Sequence, residues 1–442
     1  MMNTTFAIPA QALNTTGTNP IVSTIFTADP SAHVWEDGKI YIYASHDMDP
    51  ARGCDLMDRY HVYSSEDMVN WLDEGEILRS EDVSWGRPEG GFMWAPDCAY
   101  KNGTYYFYYP HPSESDWNNS WKIGVATSRH PAKGFVDQGY IPGLGDFAMI
   151  DPCVFVDDDG RAYMYYGGGG RCMGGELNED MMSIQGGMQD MDTLQDFHEA
   201  TWVFKRNGIY YLTYADNLHE NNQMRYATSH HPLGPWTYRG VFLEPTGCST
   251  SHGSVAEYKG NWYLFYHNQQ ISGEGNLRSI CVDELHFCED GRIQTVTQTA
   301  QGLAPVGPAP AVKAHPVQAR YHADEAGGGA EVSLDAAGGK VVRNLDIPGA
   351  FCSFTGIDGA EGGRTALYLS YTTEQKLAKL HLTVNGEDLS LINAVGLGGG
   401  ASYSGFAHFT VNLKPGNGNT IQLTGGHGEV TVGELLAVPF QD

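Results

Sequence analysis

Five residues stand at one repeated offset in this chain, and three of them carry carboxyl groups. Nine positions before successive turn glycines lie Asp29 (before Gly38), Trp94 (before Gly103), Asp151 (before Gly160) and Glu199 (before Gly208). A fifth copy is one residue shorter, and His252 fills the matching place before Gly260. Buried carboxylates without partners are costly, so a shared structural position occupied by acids is a poor choice for core packing. Carboxylates grouped around a cavity suit acid–base cleavage of a glycosidic bond, where one group protonates the leaving oxygen while another activates water or attacks the anomeric carbon. Mutual repulsion would raise the pKa of one and leave another ionised, separating the two roles. The competing reading is that the acids cap strand ends through backbone hydrogen bonds.

The elements that position these residues are hairpins. DGKIYIYAS, NGTYYFYYP, DGRAYMYYG, NGIYYLTYA and KGNWYLFYH each set a turn glycine before an aromatic-rich alternating strand. Their glycines are 65, 57, 48 and 52 residues apart, near the ~40–50 residues of a four-stranded propeller blade with its loops. The expected fold is therefore all-β, with a five-bladed β-propeller over residues 1–310. Serial hairpins also occur in β-sandwiches, which repeat one signature less regularly. In a propeller the first strand of each blade lines the axis, so the five offset positions converge.

Here the motifs resemble a family. TADPSAHVW, WAPD, IDPCVFVDDDG and HEATWVFKRNGIYYLTYA look like the strand-end motifs of glycoside hydrolase family 43, and SHGSVAEYKGNWYLFYH is similar to its fifth-blade segment. The resemblance implies that Asp29 is the general base, Glu199 the general acid and Asp151 the residue that tunes and orients the acid, in an inverting mechanism. It implies a Trp94 wall against the terminal sugar, with Asp97 bracing the strand, and an Arg278 directed at sugar hydroxyls. It also places His252 on the axis near calcium or a water cluster, a calcium being reached through water because it prefers oxygen ligands. Ala200 and Thr201 stand where many members have Gly-Pro. His46 and Asp47, in SHDMD, are expected on a loop bordering the pocket.

After the fifth copy, GLAPVGPAPAVKAHP reads as a linker with a boundary near Pro310. Residues 317–442 carry short alternating strands such as ALYLSYTT and LHLTVNG, expected to form a small β-sandwich. This region is similar to carbohydrate-binding module family 6, although all nine tryptophans lie at or before Trp262. DDDG at Asp157–Gly160 is expected to be a turn, and GGGGRCMGG a flexible loop without the lysine of a phosphate-binding motif.

The 442 residues carry a formal charge of −27, which repels nucleic acid and anionic membranes. Neither is expected as a partner; neutral oligosaccharides are. The N-terminus lacks a signal-peptide pattern and the eight cysteines lack a CxxC pair, pointing to reduced thiols and a cytoplasmic protein, or to a secreted one whose leader has been removed. The expected function is exo-acting release of terminal β-D-xylose or α-L-arabinofuranose from hemicellulose-derived oligosaccharides. A β-D-galactofuranosidase of the same fold and a non-catalytic sugar-binding propeller are the alternatives; a protein-interaction scaffold would place apolar residues around the axis.

Overall fold

The computed structural model describes residues 9, 12–50, 55–144, 149–218, 222–307 and 319–440. Five sheets follow one another along the chain, each an antiparallel meander. The first holds β1 (Thr27–Val34), β2 (Ile40–His46), β3 (Arg59–Ser65) and β4 (Trp71–Arg79). The second holds β5 (Asp97–Lys101), β6 (Thr104–Pro112), β7 (Trp121–Ser128) and β8 (Val136–Tyr140). The third holds β9 (Cys153–Val156), β10 (Ala162–Gly168), β11 (Arg171–Leu177) and β12 (Ile184–Asp190), and the fourth β13 (Glu199–Arg206), β14 (Ile209–Ala215), β15 (Met224–Ser229) and β16 (Thr237–Leu243). The fifth has three strands, β17 (Gly253–Tyr258), β18 (Asn261–Asn268) and β19 (Ser279–Glu284).

The first strands form a closed ring: β1 meets β5, β5 meets β9, β9 meets β13, β13 meets β17, and β17 returns to β1. These are the five blades of a propeller. The N-terminal segment covers the open edge of the fifth: Ile21 N–H donates to the Ile280 carbonyl (2.8 Å), and the Asn19 side chain exchanges hydrogen bonds with the backbone of Val282. An exposed strand edge is thereby satisfied.

Local chemistry explains the hairpins. Asn102-Gly103 and Asn207-Gly208 both take positive φ at their two turn positions, the geometry that matches the twist of antiparallel strands. Asp157 and Gly160 close the expected DDDG turn, with Gly160 N–H donating to the Asp157 carbonyl at 2.9 Å. GGGGRCMGG is not a flexible loop. Gly167 and Gly168 end β10 and pair with Cys172 and Arg171 of β11, leaving only Gly169-Gly170 to turn.

Second-strand tyrosines tie blades together. The Tyr43 hydroxyl donates to the Pro131 carbonyl in the next blade, and Tyr165 likewise to Pro232. Both rings are fully buried, so each contributes a large apolar area while its polar tip stays satisfied.

The C-terminal region is a β-sandwich. One sheet contains Glu331–Leu334, Lys340–Arg343, Thr431–Pro439, Gly363–Thr373 and Tyr403–Leu413, with Ala319–Tyr321 paired to its third strand; the other contains Glu325–Gly327, Phe351–Ile357, Asn419–His427, Leu377–Val384 and Glu387–Val395. Leu367, Leu369, Leu380, Ile421 and Leu423 fill the space between them. The sandwich docks on the outer strand of blade one. Thr410 N–H donates to Asp73 Oδ2 (3.0 Å), Arg364 Nη1 reaches the Glu74 carboxylate (3.2 Å), and Leu72 packs with Tyr368, Leu436 and Val438. The expected boundary at Pro310 lies outside the described residues, as does Cys54; the other seven cysteines are free thiols.

Candidate active site

The five offset positions lie within three residues of the start of the inner strands. Two of the acids take a left-handed backbone, Asp29 and Asp151 both at φ 53, and Ala200 beside Glu199 takes φ 67. Aspartate tolerates that region; alanine pays about 1–2 kcal/mol for it. Register shifts follow in β1 (between Ala28 and Ser31) and β13 (between Glu199 and Trp202). The strands are thus bent at the acids, and such strain persists only where surrounding contacts impose it.

Asp29 is buried and both of its carboxylate oxygens accept hydrogen bonds. Its Oδ1 accepts from Arg278 Nη1 at 2.9 Å, and its Oδ2 from Ser45 Oγ at 2.6 Å. Its own N–H donates to His267 Nδ1 (3.2 Å), while His267 Nε2 donates to the Thr250 carbonyl (2.8 Å), which fixes that imidazole's tautomer. Burial pushes the Asp29 pKa up, but the Arg278 guanidinium foremost, with His252, His267 and the Ser45 hydroxyl adding to it, outweighs burial and holds the carboxyl below its ordinary value. Asp29 is an ionised carboxylate in a water-poor site.

Glu199 has the opposite setting. Burial and the nearby negative charge of Asp29 raise its pKa to about 7, with Arg278 opposing. Its side chain is 16% exposed against 7% for Asp29 and for Asp151, so it is the carboxyl most open to a ligand. His198 Nε2 lies 3.6 Å from its Oε2. Asp151 is raised well above the usual carboxylate range by burial and by the charges of Glu199 and Asp29. Its Oδ2 accepts from the strained Ala200 N–H at 2.7 Å, and its carbonyl accepts from Thr201 Oγ1. Ala200 and Thr201 therefore clamp Asp151.

Arg278 departs from expectation. Its Nε and Nη2 donate to Asp47 (2.9 and 2.8 Å), its Nη1 to Asp29 and to Thr250 Oγ1, and its Nη2 also to Asp29 at 3.4 Å. All five guanidinium donors are engaged within the protein, leaving none to meet a sugar hydroxyl. Asp47, just past β2, anchors that fork and also lines a cavity between the first blade and the sandwich. His46 is not on a loop: it ends β2, is buried, and packs edge-on against His61 at 5.2 Å.

Trp94 is partly buried among Phe92, Trp117 and Trp121, the last ring 4.3 Å away, and its carbonyl accepts from the Tyr60 hydroxyl. Asp97 does brace the strands: one oxygen accepts from Ser31 Oγ, His33 Nε2 and Cys98 N, the other from Val154 N, joining blades one, two and three. His252 Nδ1 lies 3.8 Å from Asp151 Oδ2, and burial lowers its pKa to about 4. Among the described residues no three His, Cys, Asp or Glu side chains gather as a metal set. Calcium takes six to eight oxygen ligands, so these residues do not fit direct coordination at His252.

Ser45 and His267 were not anticipated, yet a signal for them exists. Each stands seven positions after its turn glycine, Gly38 and Gly260, at the second-strand end facing the acid.

The family model described as glycosyl hydrolases family 43 matches residues 17–293. The xylosidase/arabinosidase 43A of Humicola insolens is 34% identical over 333 residues, 62% of this chain and 98% of the relative. A β-xylosidase/α-arabinofuranosidase from a compost microbial metagenome, solved with xylotriose in a calcium-free form, shares 35% identity at a TM-score of 0.57 over 64% of this chain and 98% of its own. The arabinoxylan arabinofuranohydrolase of Bacillus subtilis, solved with cellotetraose, is 25% identical at a TM-score of 0.59 and spans both regions, with 97% of this chain and 99% of its own covered.

Proposed function

This chain belongs to glycosyl hydrolases family 43 and is a glycosidase, and from that premise we propose that it removes terminal β-D-xylose or α-L-arabinofuranose from hemicellulose-derived oligosaccharides with inversion at the anomeric carbon. One observation carries the assignment of roles: Arg278 Nη1 is bonded to Asp29 at 2.9 Å and keeps that carboxyl below its ordinary pKa, while the more open Glu199 is raised to about 7 by burial and the Asp29 charge. A base and an acid with separated pKa values are what single-displacement hydrolysis needs.

Asp29 takes a proton from water as that water attacks the anomeric carbon. Glu199 gives its proton to the glycosidic oxygen as the carbon–oxygen bond breaks. The carboxyls finish with exchanged protonation, and a proton passed through solvent restores them. Burial and the Asp29 charge keep Glu199 loaded, and Asp151, whose Oδ2 holds the Ala200 N–H next to Glu199, positions the acid. Trp94 offers an aromatic wall to the sugar, while Arg278 acts through Asp29. The names of the similar enzymes favour pentosides. The C-terminal sandwich is read as a module similar to carbohydrate-binding module family 6, here fastened to blade one.

Hydrolysis of aryl β-D-xyloside, α-L-arabinofuranoside and β-D-galactofuranoside, followed by proton NMR of the first sugar released, tests the proposal. Release of xylose or arabinose as the opposite anomer is expected. Retained configuration would remove Asp29 from the role of base, and turnover of the galactofuranoside alone would move the specificity. No turnover of any substrate despite sugar binding would favour the non-catalytic reading.

A further inference from the structure

Each turnover leaves Glu199 ionised, and the carboxyl must take up a proton again before the next bond is cleaved. Uptake is the harder half of the exchange. Asp29, held below its ordinary pKa, sheds its proton readily, whereas near neutrality free hydronium is scarce and the Glu199 side chain is only 16% exposed. A titratable group that touches both solvent and the carboxyl would carry the proton across this gap.

His198 occupies that place. Its Nε2 lies 3.6 Å from Glu199 Oε2, and its side chain is 30% exposed, nearly twice the value for the acid. Asp29 accepts hydrogen bonds from Arg278 and Ser45, and Asp151 from Ala200; among the described residues none reaches the Glu199 carboxyl, so His198 Nε2 is the polar atom that stands next to it. The histidine backbone is held from two sides. Its N–H donates to the Ala215 carbonyl at the end of β14 (2.9 Å), and its own carbonyl accepts from Gly170 N–H in the turn between β10 and β11 (3.2 Å). Asn217 Nδ2 lies 3.4 Å from the ring Nε2; with that amide donating, the ring proton sits on Nδ1 and Nε2 keeps a lone pair beside the acid. A separation of 3.6 Å is long for a hydrogen bond, but contacts between catalytic groups commonly tighten in the substrate complex.

The surrounding charges time the uptake. Burial lowers the His198 pKa, with the Asp216 charge opposing, so the imidazole is neutral near pH 7 while Glu199 holds its proton. Once Glu199 ionises, its negative charge stands 3.6 Å from Nε2 and favours the imidazolium. The other charges on these elements are engaged. Asp216 and Asp196 both pair with Arg225, and Arg171, beside Gly170, pairs with Asp190 at 2.8 Å.

We infer that His198 is the proton carrier that reloads the general acid, acting through Glu199 and not on the sugar. A proton from hydronium or from a protonated buffer adds to the Nε2 lone pair. The new N–H bond then breaks as the Oε2–H bond forms, which returns His198 to its neutral state and Glu199 to its acid form. This role rests on the hydrolase reading above and supplies the route by which solvent restores the acid.

The test compares His198→Ala, which leaves room for a small base, and His198→Gln, which keeps a polar side chain without a titrating group, with the wild type. Each is assayed on xylotriose with and without an arabinosyl branch, at pH 8 in dilute buffer and again with increasing imidazole. Reloading follows the chemical step, so kcat of both variants is expected to fall about fivefold or more while KM falls with it and kcat/KM changes little. Added imidazole should raise the kcat of His198→Ala in proportion to its concentration and leave the wild type unmoved. A kcat equal to wild type in both variants would overturn the role, because solvent would then reach Glu199 unaided. A loss that imidazole does not relieve would overturn it as well, since a side chain that only supports the fold or touches the sugar gives that result. A wild type that hydrolyses neither oligosaccharide refutes the hydrolase reading, and the carrier role falls with it.

Discussion

Arg278 Nη1 lies 2.9 Å from Asp29 Oδ1, and the same guanidinium holds Asp47 through two further bonds. One positive charge thus serves two buried carboxylates, and Asp29 is the one kept below its ordinary pKa. Replacing Arg278 with Gln leaves both acids without a counter-charge, at a cost of about 3–5 kcal/mol in stability for a broken buried pair. The Asp29 pKa then rises, so the acidic limb of the kcat/KM profile moves to higher pH. Lysine keeps the charge but not the planar fork, and Arg278→Lys is expected to restore the limb only in part. Identical acidic limbs in wild type and Arg278→Gln would show that Arg278 does not govern the base.

Glu199 sets the other limb. With its pKa near 7, activity is expected to fall as pH rises through neutrality and the acid loses its proton. Glu199→Gln should abolish that limb and lower kcat by roughly 10²–10⁴ on oligosaccharides, the usual worth of a general acid. Nitrophenyl glycosides, whose leaving group needs little protonation, should lose much less. Comparable losses on both substrate types would contradict the role.

The same carboxyl also links stability to pH. Its folded pKa is raised above the unfolded value, so its favourable contribution is complete below about pH 4.5 and is lost as pH rises through about 7. Above that range the wild type carries a buried charge that Glu199→Gln avoids. The variant is therefore expected to be more stable than wild type at pH 8, by about 1–3 kcal/mol, and to lose that advantage at pH 5. Urea unfolding at the two pH values reads the difference directly; an advantage that does not shrink on acidification would rule out ionisation as its source.

How far the sequence reveals this site depends on what each residue's role requires. The acids were legible because a repeat places them at one offset, and the strand-turn chemistry of Asn-Gly and Asp-Gly pairs fixes that offset locally. Ser45 and His267 were equally legible by position but lay hidden in aromatic strands, where a serine or histidine reads as ordinary alternation. The Arg278 fork was not legible, because its engagement depends on Asp47, 231 residues away, and on a donor count that only geometry supplies. The contacts that dock the sandwich were not legible for the same reason. Its contact between Asp73 and Thr410 joins residues 337 apart, neither carrying a motif. GGGGRCMGG misled because glycine runs suggest mobility, whereas here Gly167 comes so near the facing strand that a Cβ would lie 2.1 Å from the Arg171 carbonyl oxygen.

Asp97 offers a test of the frame that holds the site. Its buried carboxylate accepts from four groups in three blades, and Asp97→Asn presents an amide donor where only acceptors fit. Leaving at least one buried donor facing another costs about 1–3 kcal/mol or more, since a charge-assisted partner is also lost. The variant is expected to unfold at lower urea concentration by that amount. An unchanged midpoint would mean that the three inner strands do not depend on this hub.

Ala200 shows how the site trades backbone comfort for position. Alanine at φ 67 costs about 1–2 kcal/mol, which glycine avoids, but glycine also enlarges the entropy of the unfolded chain by about 0.4–1 kcal/mol. The first term is the larger, so Ala200→Gly is expected to leave stability equal or slightly higher, with a melting temperature at or above that of wild type. The N–H that holds Asp151 at 2.7 Å survives the change, and the high pKa of the Asp151–Glu199 pair should survive with it, leaving the basic limb of the pH profile in place. A shifted limb together with a higher melting temperature would mean that the strained alanine, and not the hydrogen bond alone, keeps Asp151 pressed against the acid.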